Sequence, residues 1–229
     1  MLPSSYHPTQ PTAFIGPARA TALYCQQLAR QVLANGKDPF RTIFCDPPGV
    51  GKSKLANYLA GLLGSSQWNT TKLCGTQATV DQVEGLARQF HLTDLFGGYR
   101  LLWLEEIDSM PPVARSRMLM LCDDMPSGWA LIGTSNLTPA KFKEMHPPTQ
   151  RRYTFLEVAP PTGDEIFAFL LQHWPGVPAA SVRNIAVMSC GCVGAALQEM
   201  DAEVIVSQMG SDLVPRAKES VPLDQCQRP

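Results

Sequence analysis

Residues 46–53 read Asp-Pro-Pro-Gly-Val-Gly-Lys-Ser, between an apolar run at 42–45 and a helical pattern at 54–63. Strand, glycine loop, Lys-Ser and helix, in that order, form the setting of a phosphate-binding loop. Gly49 and Gly51 let backbone N–H groups curl around a phosphate, and the helix that follows adds the positive end of its dipole. The candidate nucleotide-binding run is Pro48, Gly49, Val50, Gly51, Lys52, Ser53 and Lys54. Within it Lys52 would reach the β- and γ-phosphates of ATP, and the Ser53 hydroxyl would ligate Mg²⁺. The opening position of the pattern is normally glycine and here is Asp46, whose carboxylate has to turn away from a polyphosphate.

The bulk properties narrow the remaining choices. A chain of 229 residues suffices for one large domain, or one domain and a small companion, and 45% apolar content supplies a core. With 17% charged residues and a net charge of −1, there is no global electrostatic drive toward nucleic acid or membranes. No apolar run approaches the roughly 18–20 residues of a membrane helix. The first residues lack the basic and apolar regions of a signal peptide, so no membrane partner is expected. Seven cysteines are scattered without a Cys-x-x-Cys pair. This speaks against a zinc site or a disulfide framework and for free thiols in a reducing cytoplasm.

Along the chain, residues 1–18 carry Pro3, Pro8, Pro11 and Pro17 and read as an extended N-terminal arm. Helical spacing over 19–33 ends at Asn35 and Gly36, a C-cap signal. A second strand is expected at 71–74, then a helix with Thr79 as its candidate cap. The near-continuous apolar runs at 99–104 and 129–134 suit strands buried on both faces of a parallel sheet, with a helix around 112–122 between them. A last strand is expected at 153–158. Strands alternating with helices make 19–159 an α/β domain. Beyond Pro160 and Pro161 only helical patterns occur, at 166–174 (capped by Thr162 or Asp164), 180–188 and 193–209. The fold class is therefore a P-loop NTPase, a parallel five-stranded sheet flanked by helices, with a small all-helical lid over 160–209. The polar segment 210–229, with Pro215, Pro222 and Pro229, reads as a disordered tail.

A second motif sits where an ATPase needs it. Residues 101–108 read Leu-Leu-Trp-Leu-Glu-Glu-Ile-Asp, an apolar strand ending in two carboxylates. In a P-loop ATPase the first acid holds the metal and the second polarises the attacking water. Glu105 is thus the candidate metal residue beside Ser53, and Glu106 the catalytic one. With both motifs in place the chain resembles the AAA+ ATPase superfamily, whose usual form here is four apolar residues, Asp-Glu, then often Ile-Asp; Glu105 replaces that Asp. The resemblance continues through Leu131-Ile132-Gly133-Thr134-Ser135-Asn136, which looks like the sensor 1 strand, with Asn136 reaching toward the γ-phosphate. Gln150-Arg151-Arg152-Tyr153 occupies the place of the arginine finger, which acts in a neighbouring subunit's site. Arg152, preceding the aromatic as in the family's Arg-Phe pattern, is favoured over Arg151. In the lid the chain departs again. Gly194 stands where the sensor 2 arginine would be, so either another lid residue such as Arg183 serves or no arginine of the same chain contacts the γ-phosphate.

The resemblance covers residues 14–205 and is nearest in arrangement to clamp-loader ATPases and other AAA+ proteins of DNA metabolism. The supporting features are the helix before the phosphate loop, the run Gly75-Thr76-Gln77-Ala78-Thr79-Val80-Asp81 after the second strand, and Gly97-Gly98-Tyr99-Arg100 before the acidic motif. It implies a Mg²⁺-ATP hydrolase that self-assembles into a ring or helix and remodels or loads an unidentified protein or protein–DNA complex. No aromatic pore loop follows the second strand, and Leu95-Phe96-Gly97 reads as packing and a turn, so polypeptide threading is disfavoured. DNA contact through Lys54, Lys72, Arg88, Arg115, Arg117, Lys141 and Lys143 would need an oligomer to sum weak contacts. The alternative is a nucleotide-dependent scaffold or switch with little hydrolysis, taking Asp46, Glu105 and Gly194 as one signal. A small-molecule kinase fits the acidic pair and the helical lid less well.

Overall fold

The structure, a computed structural model, describes residues 3–66, 68–91 and 98–209. Among the described residues five strands form one parallel sheet: β1 (Phe40–Cys45), β2 (Thr70–Cys74), β3 (Arg100–Glu105), β4 (Trp129–Thr134) and β5 (Thr154–Glu157), in the order β2-β3-β4-β1-β5. Every residue of β4 is buried, as the apolar run that precedes its terminal Thr134 requires in a central strand. Alternation along each strand splits the core into two layers. Phe44, Leu101, Trp103 and Ile132 face helices α1 (Pro17–Ala34) and α2 (Lys52–Leu62). Ile43, Leu102, Leu104 and Leu131 face α3 (Val80–Ala87), α4 (Pro112–Asp123) and α5 (Pro139–Met145).

Helix α2, which follows β1, packs on one face of the sheet; α5, which follows adjacent β4, packs on the other. The chain thereby leaves neighbouring strands in opposite directions and opens a crevice at their carboxyl ends, the position where open α/β sheets bind ligands.

Three helices follow the sheet: α6 (Gly163–His173), α7 (Ala179–Met188) and α8 (Val193–Met209). They share a separate core around Ile166, Leu170, Val182, Ala186, Ala196 and Met200. Of the two caps open for α6, Thr162 takes the role in a full capping box. Its hydroxyl accepts the Glu165 N–H at 3.3 Å, and the Glu165 carboxylate accepts the Thr162 N–H at 2.8 Å. Thr79 caps α3 in the same way with Gln82.

The N-terminal segment departs from an extended arm. It makes two short 3-10 turns, Pro3–Ser5 and Pro11–Ala13, each opened by a proline at the position that needs no N–H donor. Its apolar side chains have places to go. Tyr6 packs edge-on against Phe169 and His173 of the lid, with centroids 5.3 and 5.2 Å away. Ile15 joins the lid core and Phe14 the sheet core. The arm is thus a strap from lid to sheet. The tail at 210–229 and the Leu95-Phe96-Gly97 turn lie outside the described residues. No helix among the described residues is long and apolar enough to cross a membrane.

Candidate functional site

The glycines of the phosphate loop adopt the backbone their positions demand. Gly49 and Gly51 have φ of 83° and 102°, and Gly51 is the left-handed N-cap of α2. Asp46 has φ of 129°, a region that favours glycine, with its side chain buried. Its carboxyl is outside the lining of the cleft, and burial, then the nearby charge of Glu157, push its pKa up. Lys52 is buried too. Its Nζ donates to Asp46 O at 2.6 Å, Pro47 O at 2.8 Å and Asn136 Oδ1 at 3.0 Å. Burial lowers its pKa, opposed by Asp46 among other groups.

The strand registers bring the other motifs to the same rim. Cys74 pairs with Glu105 across β2 and β3, and Leu104 pairs with Gly133 across β3 and β4. A cleft of about 480 Å³ results, walled by Pro48, Gly49, Gly51, Lys52, Ser53 and Lys54, by Glu105 and Glu106, and by Asn136. Of the candidate nucleotide-binding run, Val50 alone points elsewhere. It is buried in the sheet core and borders an adjoining apolar slot. Cross-links tie the rim together: the Glu106 N–H donates to Thr134 Oγ1, and the Asn136 N–H to Asp108 Oδ1, each at 3.3 Å.

The lid closes over this cleft. The Gly194 N–H donates to Gly49 O at 2.9 Å, and the Cys192 thiol lies so close over Gly49 that a Cβ there would collide with it. Gly194, with Val193 and Leu197, lines the cleft but carries no side chain into it. Arg183 is directed elsewhere, in an ion pair with Asp164 at 2.8 Å and stacked over Phe167.

Arg151 and Arg152 stand apart from the cleft of their own chain. They precede β5, whose first residue pairs with Thr42 in β1, whereas the cleft lies beyond the other end of that strand. Arg152 holds Asp123 through two hydrogen bonds, of 2.8 and 2.7 Å, and donates a third to Pro148 O. Arg151 is exposed.

Sequence reasoning missed two groups of residues. Thr134, Cys74, Val193 and Leu197 complete the walls of the cleft. Tyr6, Phe14 and Ile15 of the strap, with Val50, Phe169 and Leu197, enclose the apolar slot, which shares Gly51 and Lys54 with the cleft. The adjacent pair Phe14-Ile15 in a proline-rich segment was the available signal, because a solvated arm has no use for two large apolar side chains.

The chain matches no protein-family model and no curated protein sequence. Its structure is similar to that of Thermotoga maritima RuvB, described as a Holliday junction branch migration motor. The TM-score is 0.64 at 19% identity, over 84% of this chain and 63% of that one. It is also similar to Aeropyrum pernix Orc1 in complex with DNA, with a TM-score of 0.66 at 15% identity over 93% of this chain and 65% of that one. The chain has the AAA+ fold. It spans less than two thirds of the length of either neighbour. In AAA+ terms, the phosphate loop, the acidic pair and the strand ending at Asn136 converge on one cleft, while the arginine pair stands at the far end of the sheet.

Proposed function

We propose that the protein is a Mg²⁺-ATP-dependent AAA+ ATPase that acts as a homo-oligomer, in a ring or helix, to remodel or load a protein or protein–DNA complex. The observation that carries this reading is the convergence of Lys52, Ser53, Glu105, Glu106 and Asn136 on one cleft at the carboxyl ends of β1, β3 and β4. The phosphates would lie against the loop amides and the start of α2, and the base would lie at the mouth of the apolar slot under the strap. Lys52 would exchange its carbonyl partners for phosphate oxygens. Glu106 would orient the attacking water and accept its proton, and Asn136 would position the water and the γ-phosphate.

The cleft offers hard oxygen donors suited to Mg²⁺. Ser53 and Glu105 are both exposed along it and would hold the ion, which supplies charge neutralisation on the phosphates. No cluster of three His, Cys, Asp or Glu fit for a metal occurs among the described residues. An ion shared with the substrate's phosphates needs only one or two protein oxygens.

The position of Arg151 and Arg152, before β5 and away from the carboxyl-end cleft of their own chain, supports self-assembly, in which each chain would complete its neighbour's site. The names of the two neighbours, a branch migration motor and a protein in complex with DNA, support a role in DNA metabolism. A clamp-loader-like role, a protein client and DNA contact through the oligomer belong to this proposal. The six free cysteines among the described residues suit a reducing cytoplasm.

A second reading, a nucleotide-dependent switch with little turnover, is favoured by Lys52 being bonded inside its own loop and by Arg183 being paired outside the cleft. ATP turnover measured against protein concentration separates the two. The motor requires turnover per subunit that climbs with concentration and falls by orders of magnitude in Glu106→Gln with ATP binding kept. Tight binding with flat, negligible turnover establishes the switch.

A further inference from the structure

The ATPase reading puts Glu106 beside the attacking water, and the backbone that carries it is conformationally costly. Glu106 has φ 50° and ψ 51°, the left-handed region that residues with a Cβ avoid. Such a conformation persists only where the surroundings enforce it. Two neighbours do so. On one side Gly75 packs against the Glu106 carbonyl so closely that no Cβ fits at residue 75. On the other, the Glu106 N–H donates to the Thr134 hydroxyl at 3.3 Å.

Thr134 is the last residue of β4, is buried, and lines the cleft. The β3–β4 ladder ends with Leu104 paired to Gly133. Two residues beyond Leu104, Glu106 lies past the ladder, and the Thr134 hydroxyl takes its N–H instead. A hydroxyl that accepts one N–H keeps its own proton and one lone pair, so Thr134 can still donate at the cleft wall.

We propose that Thr134 is a positioning residue, whose hydroxyl pins the Glu106 backbone in the left-handed conformation that directs its carboxylate into the cleft. The inference rests on the ATPase reading for its catalytic consequence, but its structural core is independent of ATP. Valine at 134 has the shape of threonine without the acceptor; serine keeps the acceptor.

The test combines a stability cycle with kinetics, using the full chain. Thr134→Val is made in the natural background and in Glu106→Gly, where glycine needs no help to hold a left-handed backbone. Thermal midpoints are expected to fall by several degrees in the natural background and by about half that or less beside Glu106→Gly. Turnover of Thr134→Val is expected to drop about 10- to 100-fold with ATP affinity kept within about threefold, and Thr134→Ser to recover most of it. An equal loss of midpoint in both backgrounds overturns the proposal, since the hydroxyl would then serve β4 itself. So does loss of ATP affinity in step with turnover. If the natural chain shows no turnover, the ATPase reading fails, and the stability cycle still decides whether Thr134 holds Glu106.

Discussion

Arg152 grips Asp123 at the end of α4 through two parallel hydrogen bonds, Nε to Oδ1 at 2.8 Å and Nη2 to Oδ2 at 2.7 Å. The contact holds the Asp123 carboxyl below its usual range and orients the guanidinium on the surface. It also occupies the fork that a neighbour's γ-phosphate would need. Arg152→Ala is expected to collapse turnover while leaving ATP binding intact. Asp123→Ala is expected to raise turnover at low protein concentration by freeing the guanidinium. Both should change stability by no more than about 1 kcal/mol, since the pair is partly exposed. Collapse in Arg151→Ala alone would move the finger role to that residue. Concentration-dependent turnover of the three variants is the measurement.

The Cys192 thiol of the lid lies directly over Gly49 of the phosphate loop. Gly49→Ala adds a Cβ in the path of the thiol and at a φ of 83°. It is expected to cost about 1–3 kcal/mol and to weaken ATP binding about tenfold or more. Gly49→Ala combined with Cys192→Ala should recover the steric part of that loss and not the backbone part. Denaturant unfolding and ATP titration of the single and double variants read the two contributions separately.

Asp46 carries two costs at one position, a backbone that favours glycine and a buried carboxyl whose pKa is raised. A folded-state pKa above the unfolded value means that the proton binds the folded chain more tightly. The associated stability is therefore complete below the unfolded value, near 3.8, and is lost as pH rises through the raised folded value. Asp46→Asn should accordingly stabilise the protein more at pH 7 than at pH 4. Asp46→Gly should add about 1 kcal/mol from backbone relief, net of glycine's greater entropy when unfolded. Unfolding free energies at the two pH values check both expectations.

Tyr6 fastens the strap to the lid through its contacts with Phe169 and His173 and a hydrogen bond to Ala13 O. Each aromatic contact contributes about 0.5–1.5 kcal/mol beyond the area it buries. Tyr6→Ala is expected to weaken ATP affinity several-fold, by loosening the wall of the apolar slot, while turnover at saturating ATP is little changed. An effect on turnover alone would remove the strap from base binding.

The motifs were legible because each depends on local chemistry. A glycine loop between strand and helix, an apolar strand ending in Glu105 and Glu106, and a strand ending near Asn136 need only their own neighbours to be recognised. The sheet was legible for the same reason: runs such as 129–132 are apolar because both their faces are covered. The roles of Thr134 and the strap were not legible. A threonine before Ser135 has no local mark of bonding to a residue 28 positions away, and a proline-rich start gives no sign of what it packs against.

By itself the sequence determined the parallel α/β sheet, the helical lid and the phosphate-loop and acidic residues that meet at the cleft, since those follow from periodicity and from glycine, lysine and carboxylate chemistry at short spacing. Only the tertiary structure decided that Asp46 stays off the cleft, that Arg152 is held by Asp123, that Cys192 lies over Gly49 and that Phe14 and Ile15 tie the lid to the sheet. Each of these joins residues distant along the chain, and such contacts arise from how strands and helices are stacked rather than from any short stretch of sequence.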